Sequence, residues 1–171
     1  ILEGISQTQS VAGQASLLLG DVEYLAGYYD NALVAYRAAA RKAETPEIDL
    51  KIGLTALQLG DAETAAAHLK KAAAYPRYQE SAYLALAVLF FRNTGNQWED
   101  HLARAARALD QVLQVDELNV AARNLRGMVF AHRGQTRRML DEFNLSLDLQ
   151  PNQPELRELV ATYQAAIPRE Q

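Results

Sequence analysis

The sequence predicts an all-α fold, an α-solenoid of four helix-turn-helix units plus a C-terminal capping helix. Three observations carry that prediction. Apolar residues recur at three-to-four spacing, very small residues return on a fixed beat, and glycine or proline interrupts the pattern at regular intervals.

The beat is clearest in GYYDNALVAYRAAARKAETP, where Gly27, Ala32 and Tyr36 stand at offsets 0, 5 and 9. Gly60, Ala65 and Leu69 repeat those offsets, as do Gly134, Met139 and Phe143; Ala105 and Leu109 form a further copy whose glycine, Gly95, is displaced. A second series precedes each copy: Leu19-Gly20, Ile52-Gly53, Leu86-Ala87 and Arg126-Gly127. Its steps are 33, 34 and 40 residues, and those between Ala32, Ala65, Ala105 and Met139 are 33, 40 and 34. Both fit a 34-residue period with one six-residue insertion between Ala87 and Ala105.

Each unit reads as two helices joined at the central glycine, which supplies a positive-φ turn. Pro46, Pro76 and Pro151 close units where a helix cannot continue. The expected helices are 13–26 and 29–43, 47–58 and 61–74, 79–93 and 97–114, then 119–132 and 135–148. A ninth, 154–167, follows Asn152-Gln153-Pro154 and reads as a cap, because the last pair of a stack otherwise exposes its apolar side. The units are therefore 13–46, 47–78, 79–118 with the insertion, and 119–152, flanked by an N-terminal segment 1–12 (an extension or linker) and a capping helix with its tail, 153–171. In the insertion, Asn96 and Glu99 resemble a capping box, so the second helix of unit three should start early and project by about a turn.

The chain resembles the tetratricopeptide repeat family. The family's run of Leu-Gly, Ala, an aromatic and a closing Pro is met by Leu19, Gly20, Ala32 and Tyr36 in the first unit. Gly127, Phe130, Phe143 and Pro151 meet it in the fourth. The likeness covers residues 13–167, although no unit has the family's early Trp and the third lacks its Gly. It implies a right-handed solenoid. Gly20, Gly53, Ala87 and Gly127 would sit at tight helix crossings, with Tyr36, Leu69, Leu109 and Phe143 filling the gap.

Composition narrows the function. Hydrophobic residues at 49% and charged residues at 22% describe a folded chain, and a net charge of −4 offers no field to draw phosphate backbones, so nucleic acid is not an expected partner. The absence of cysteine excludes thiolate metal sites, disulfides and cysteine nucleophiles. No apolar run reaches the ~20 residues of a membrane-spanning helix. Because the sequence begins at Ile1 rather than Met, an anchor or leader outside it is expected; the family resemblance described above implies a bacterial cell-envelope location, with the cytoplasm as the alternative.

No catalysis, metal or cofactor is expected. His68, His101 and His132 lie in different units without a second ligand at i+3 or i+4. Ser16, Ser81 and Ser146 have no neighbouring base, and the acid pairs Glu99-Asp100, Asp116-Glu117 and Asp141-Glu142 read as solvated charges.

The resemblance instead points to the inner face formed by the first helix of each unit. Carried onto this register, that face comprises Leu17, Asp21 and Tyr24, then Leu50, Leu54 and Leu57, then Leu84, Val88, Phe91 and Arg92, then Asn124, Met128 and His132. Its apolar middle suits an amphipathic helix or extended apolar segment of another protein, unless the N-terminal segment or the cap folds back over it. The family's two-carboxylate clamp fits poorly, since the corresponding positions are Leu17, Asp21, Lys51, Leu54, Ser81 and Ala85, and Lys51 alone suits an acid. Trp98 is either packing against the neighbouring turn or a second partner contact. Arg123, Arg126, Arg133, Arg137 and Arg138 make either a solvated face or a site for an acidic segment.

The function the family resemblance implies is a protein-interaction scaffold or adaptor, serving assembly of a cell-envelope machine for pilus, secretion or exopolysaccharide. A substrate chaperone and a self-associating structural module are the alternatives, so a homo-oligomer stays open.

Overall fold

The computed structural model describes residues 2–93 and 98–166, with side chains from residue 11 onward. It is all-α. The described residues form α1 (Leu2–Leu25), α2 (Tyr29–Ala40), α3 (Pro46–Leu59), α4 (Ala62–Ala73), α5 (Pro76–Arg92), α6 (Trp98–Val115), α7 (Val120–His132), α8 (Thr136–Leu149) and α9 (Pro154–Ala166). They are the helix pairs of an α-solenoid followed by a terminal helix. The chain divides into two compact units, residues 1–89 and 90–171, so that the division falls within α5.

Local chemistry sets the helix ends. Thr45 accepts a hydrogen bond from the Ile48 amide at 3.3 Å, with Pro46 at the first helical position where no intrahelical donor is lost. Asp61 caps α4 through the Thr64 amide at 3.0 Å, and Asn119 caps α7 through the Ala122 amide at 2.8 Å. The turns inside the first, second and fourth pairs place Gly27, Gly60 and Gly134 at φ of 81°, 76° and 68°. A side chain there would clash with its own backbone.

The Asp61 cap gives a measurable consequence. Its hydrogen bonds from Thr64 hold the carboxyl below its ordinary value. The charged cap is therefore fully stabilising at neutral pH, and its contribution fades as pH falls through that lowered value. Asp61→Ala should cost ~0.5–2 kcal/mol in chemical denaturation at neutral pH. The difference from wild type should shrink in acid.

In the first compact unit, the small-residue crossings hold the pairs together. A Cβ on Gly20 would overlap the Tyr36 ring, and one on Gly53 would lie 2.7 Å from Leu69 Cγ. Tyr36 packs with Ala32, Leu33, Ala39, Ile48 and Ile52, which joins α2 to α3. Ala72 and Ala73 of α4 meet Ala82 of α5, with Leu50, Tyr78 and Tyr83 around them. The alanines are joints, because their short side chains allow two helices to approach closely.

The second compact unit repeats the device, with Gly127 set against the Phe143 ring. Phe130, Met139, Leu140 and Phe143 form a core that Val160 of α9 completes, Leu156 packing beside it. Gln153 fastens the entry to α9, donating to the Ser146 hydroxyl at 3.0 Å and accepting from the Asn124 amide at 2.7 Å. The exposed residues of α9 mix Arg157, Glu158, Thr162 and Gln164 with Leu159 and Tyr163, which are 40% and 39% exposed.

Three expectations change. α1 starts at Leu2 rather than near residue 13, since nothing between them breaks a helix strongly enough to stop it. Glu142 is not a solvated charge. It is 7% exposed and lies between Arg126 at 2.7 Å and Arg123 at 3.3 Å. Arg126 also reaches Asp110 at 2.9 Å, so two of the five arginines spend their charge on buried or neighbouring acids. The third concerns Leu57, described with the inner face below.

The early start of the sixth helix agrees with the insertion. Ala105 lies seven residues after Trp98 at the head of α6, whereas Ala32, Ala65 and Met139 lie three after the heads of α2, α4 and α8. The difference of four residues is about one turn. Asn96, and with it the capping box, falls outside the described residues.

Candidate interaction face

The expected inner-face residues fall on the first helices α1, α3, α5 and α7, and most are neither buried nor fully open. Leu17, Asp21, Tyr24, Leu50, Leu54, Leu84 and Val88 in the first compact unit are half-buried. Leu57 is not part of an open face. It is 9% exposed, because it lies one turn beyond Gly53 on the side of α3 that meets α4.

Asp21, Tyr24 and Leu54 come together in a cleft of about 330 Å³. Leu25, Tyr36 and Lys51 complete its lining. Lys51 Nζ lies 2.6 Å from Asp21 Oδ1, and the Tyr36 hydroxyl donates to the same oxygen at 2.7 Å. Burial, and then the hydrogen bond to Asp21, pushes the Tyr36 phenol above its ordinary value, so it stays protonated as the donor. The resulting surface is apolar at its sides, from Tyr24, Leu25 and Leu54, with one compensated ion pair among them. Such a cleft can take an apolar side chain and offers hydrogen bonds to the backbone that carries it.

Lys51, Tyr36 and Leu25 were missing from the expected face. Tyr36 was legible as an inter-helix anchor, and Lys51 as the one position suited to an acid. Neither signal shows that the two converge on Asp21 across three helices.

In the second compact unit, Phe91 and His132 meet edge to face with ring centroids 5.2 Å apart. His132 Nδ1 lies 3.0 Å from the Met128 carbonyl, which holds the ring in place. Met128 is 44% exposed, and Arg92 and His132 are exposed as well. Asn124 is tied to Gln153 rather than open to a ligand. Trp98 is 44% exposed and borders a shallow cleft with Glu99, Arg133 and Gln135, so it is available to a partner. His68 is paired with Asp49 at 2.6 Å. Among the described residues no three His, Asp or Glu side chains converge as a metal site would require, and no helix is long and apolar enough to cross a membrane.

Antiparallel helix pairs locked by small residues, with part-open side chains along their first helices, define a helical-repeat fold. Residues 99–154 match the family model described as Tetratricopeptide repeat. No curated protein sequence matches the chain. Among solved structures, the chain is similar to TTC0263, a thermophilic TPR protein of Thermus thermophilus, at 25% identity and a TM-score of 0.71, covering 92% of this chain and 84% of that one. It is similar to MamA from Desulfovibrio magneticus at 15% identity and a TM-score of 0.77, covering 91% and 85%. It is also similar to YrrB, described as a TPR protein with an unusual peptide-binding site, at 18% identity and a TM-score of 0.71, covering 91% and 75%. Residues 99–154 thus match the tetratricopeptide repeat family, and the chain shares the fold of these TPR proteins.

Proposed function

We propose that this protein is an adaptor that holds an apolar or amphipathic segment of another protein against its first helices, with the Asp21–Lys51 cleft as the anchoring pocket. The observation that carries the reading is the cleft itself: an open Leu25 and half-buried Tyr24 and Leu54 surround a satisfied ion pair. Its size suits one large apolar side chain, and Lys51 and Asp21 flank the path of the partner's backbone. Leu84 and Val88 on α5, both half-buried, extend the apolar surface. The peptide-binding site named for YrrB supports the same mode of use on the same fold.

The finer reading is that the partner belongs to a cell-envelope machine, for pilus, secretion or exopolysaccharide assembly. The Thermus and Desulfovibrio sources of two similar structures support a bacterial setting.

A displayed library of short peptides, selected on the 171-residue chain, tests the site. Selected peptides should be rich in one large apolar anchor. Leu54→Glu and Leu84→Glu should each weaken them at least about tenfold, ~1.4 kcal/mol, while the helical circular dichroism is unchanged. Peptides that bind both variants as well as wild type would place recognition elsewhere.

A further inference from the structure

The helix α1 has two apolar faces. One, with Gly13, Leu17, Gly20 and Tyr24, is turned to α2 and the core beneath it. The other carries Val11, Ala15, Leu18, Val22 and Leu25, at alternating steps of four and three, and every one of these is exposed. That alternation is the seam of a coiled coil. No charged residue stands on it.

Some of the corresponding positions elsewhere are covered. Counting from the crossing glycine, Leu19 and Val22 match Ile52 and Thr55 on α3, which are 1% and 0% exposed beneath α2. Val22 also matches Val129 on α7, which is 0% exposed in the compact unit where α6 packs on α7. On α1 the same positions are 54% and 64% exposed, and Val11, Leu18 and Leu25 are 65%, 65% and 86% exposed. The four large side chains of the seam, Val11, Leu18, Val22 and Leu25, expose roughly 500 Å², within the ~300–600 Å² of the largest patch on an ordinary monomer. That is more than half of the ~800 Å² per partner of a standard interface.

We infer that this face of α1 pairs with α1 of a second copy, antiparallel, about a two-fold axis at Leu18. The repeat's own way of covering the face is a helix delivered by a short loop. α3 and α7 begin seven residues before Gly53 and Gly127, where such a loop joins them to the preceding helix. α1 continues to Leu2, eighteen residues before Gly20, so no such loop stands at that point. The stripe is also nearly symmetric about its centre. In the antiparallel arrangement Val11 faces Leu25, Ala15 faces Val22 and Leu18 faces itself, so small residues meet large ones in each flanking layer. Antiparallel pairing continues the alternation of direction that α2 and α3 follow, and a self-complementary patch closes as a dimer without leaving a further edge.

The chain has no cysteine, so single-cysteine variants report the geometry directly. Sedimentation equilibrium on the 171-residue chain should show the mass rising to two chains with concentration. Leu18→Glu with Val22→Glu should hold it at one chain with helicity retained. Under mild oxidation Leu18→Cys should cross-link to itself, and Val11→Cys should cross-link to Leu25→Cys in preference to another Val11→Cys. This second readout stands even if the glutamate variants unfold. A single-chain mass at every concentration, a dimer that survives the glutamates, or Val11→Cys joining mainly to itself would overturn the inference. Leu25 borders both surfaces, so peptide binding at the α3 cleft is scored with Leu54→Glu and pairing with Leu18→Glu and Val22→Glu, which leave Leu25 in place and separate failure of one reading from failure of the other.

Discussion

Gly53→Leu will lower the thermal midpoint by roughly 2–12 °C, taking ~1–3 kcal/mol for an overpacked crossing and ~2–4 °C per kcal/mol for a domain of this size. A side chain on Gly53 begins 2.7 Å from Leu69 Cγ and 3.1 Å from the Leu69 backbone nitrogen. Leu69 is completely buried, so rotating its side chain does not make room. The two helices must separate, which also loosens the alanine joint between α4 and α5. Differential scanning calorimetry checks the shift, and a midpoint equal to wild type would mean that the crossing is not a tight joint.

Phe143→Ala should cost more, ~3–5 kcal/mol in denaturant unfolding, because it empties a site 1% exposed at the centre of the second unit's core. The pairing with Gly127 adds a sharper expectation. Gly127→Ala alone should be destabilising, since its Cβ would overlap the Phe143 ring. With Phe143→Ala that overlap disappears, so the double variant should be more stable than the sum of the single effects by ~0.5–3 kcal/mol. Strict additivity in this cycle would show that glycine and ring do not share the same space.

Those crossings were legible in the sequence. Gly20 with Tyr36, Gly53 with Leu69 and Gly127 with Phe143 are each sixteen residues apart, and a small residue paired with a large one at constant separation is a pattern that a linear reading detects. The start of α1 was not. The beat fixed where unit one should begin, and a helix continuing beyond the repeat leaves no mark when no breaker intervenes. Leu57 was placed on the inner face by its position in the repeat, but one turn beyond a crossing glycine a side chain faces the partner helix. Glu142 looked solvated beside Asp141. Its burial depends on Arg123 and Arg126 arriving from another helix, nineteen and sixteen residues away. Likewise the cleft unites Asp21, Tyr36 and Lys51 from three helices, and only the crossing geometry reveals that one carboxylate oxygen serves both donors.

Tyr36 performs two jobs with opposite ends of one side chain: its ring fits the hollow at Gly20, and its hydroxyl helps hold Asp21 for the cleft. Recognition chemistry at this point is thus welded to the joint that assembles the first hairpin. Evolution can retune the rim freely through Leu25 or Leu54, but any replacement of the tyrosine that alters polarity also redraws a hinge of the scaffold. The floor of the pocket should therefore drift more slowly than its walls.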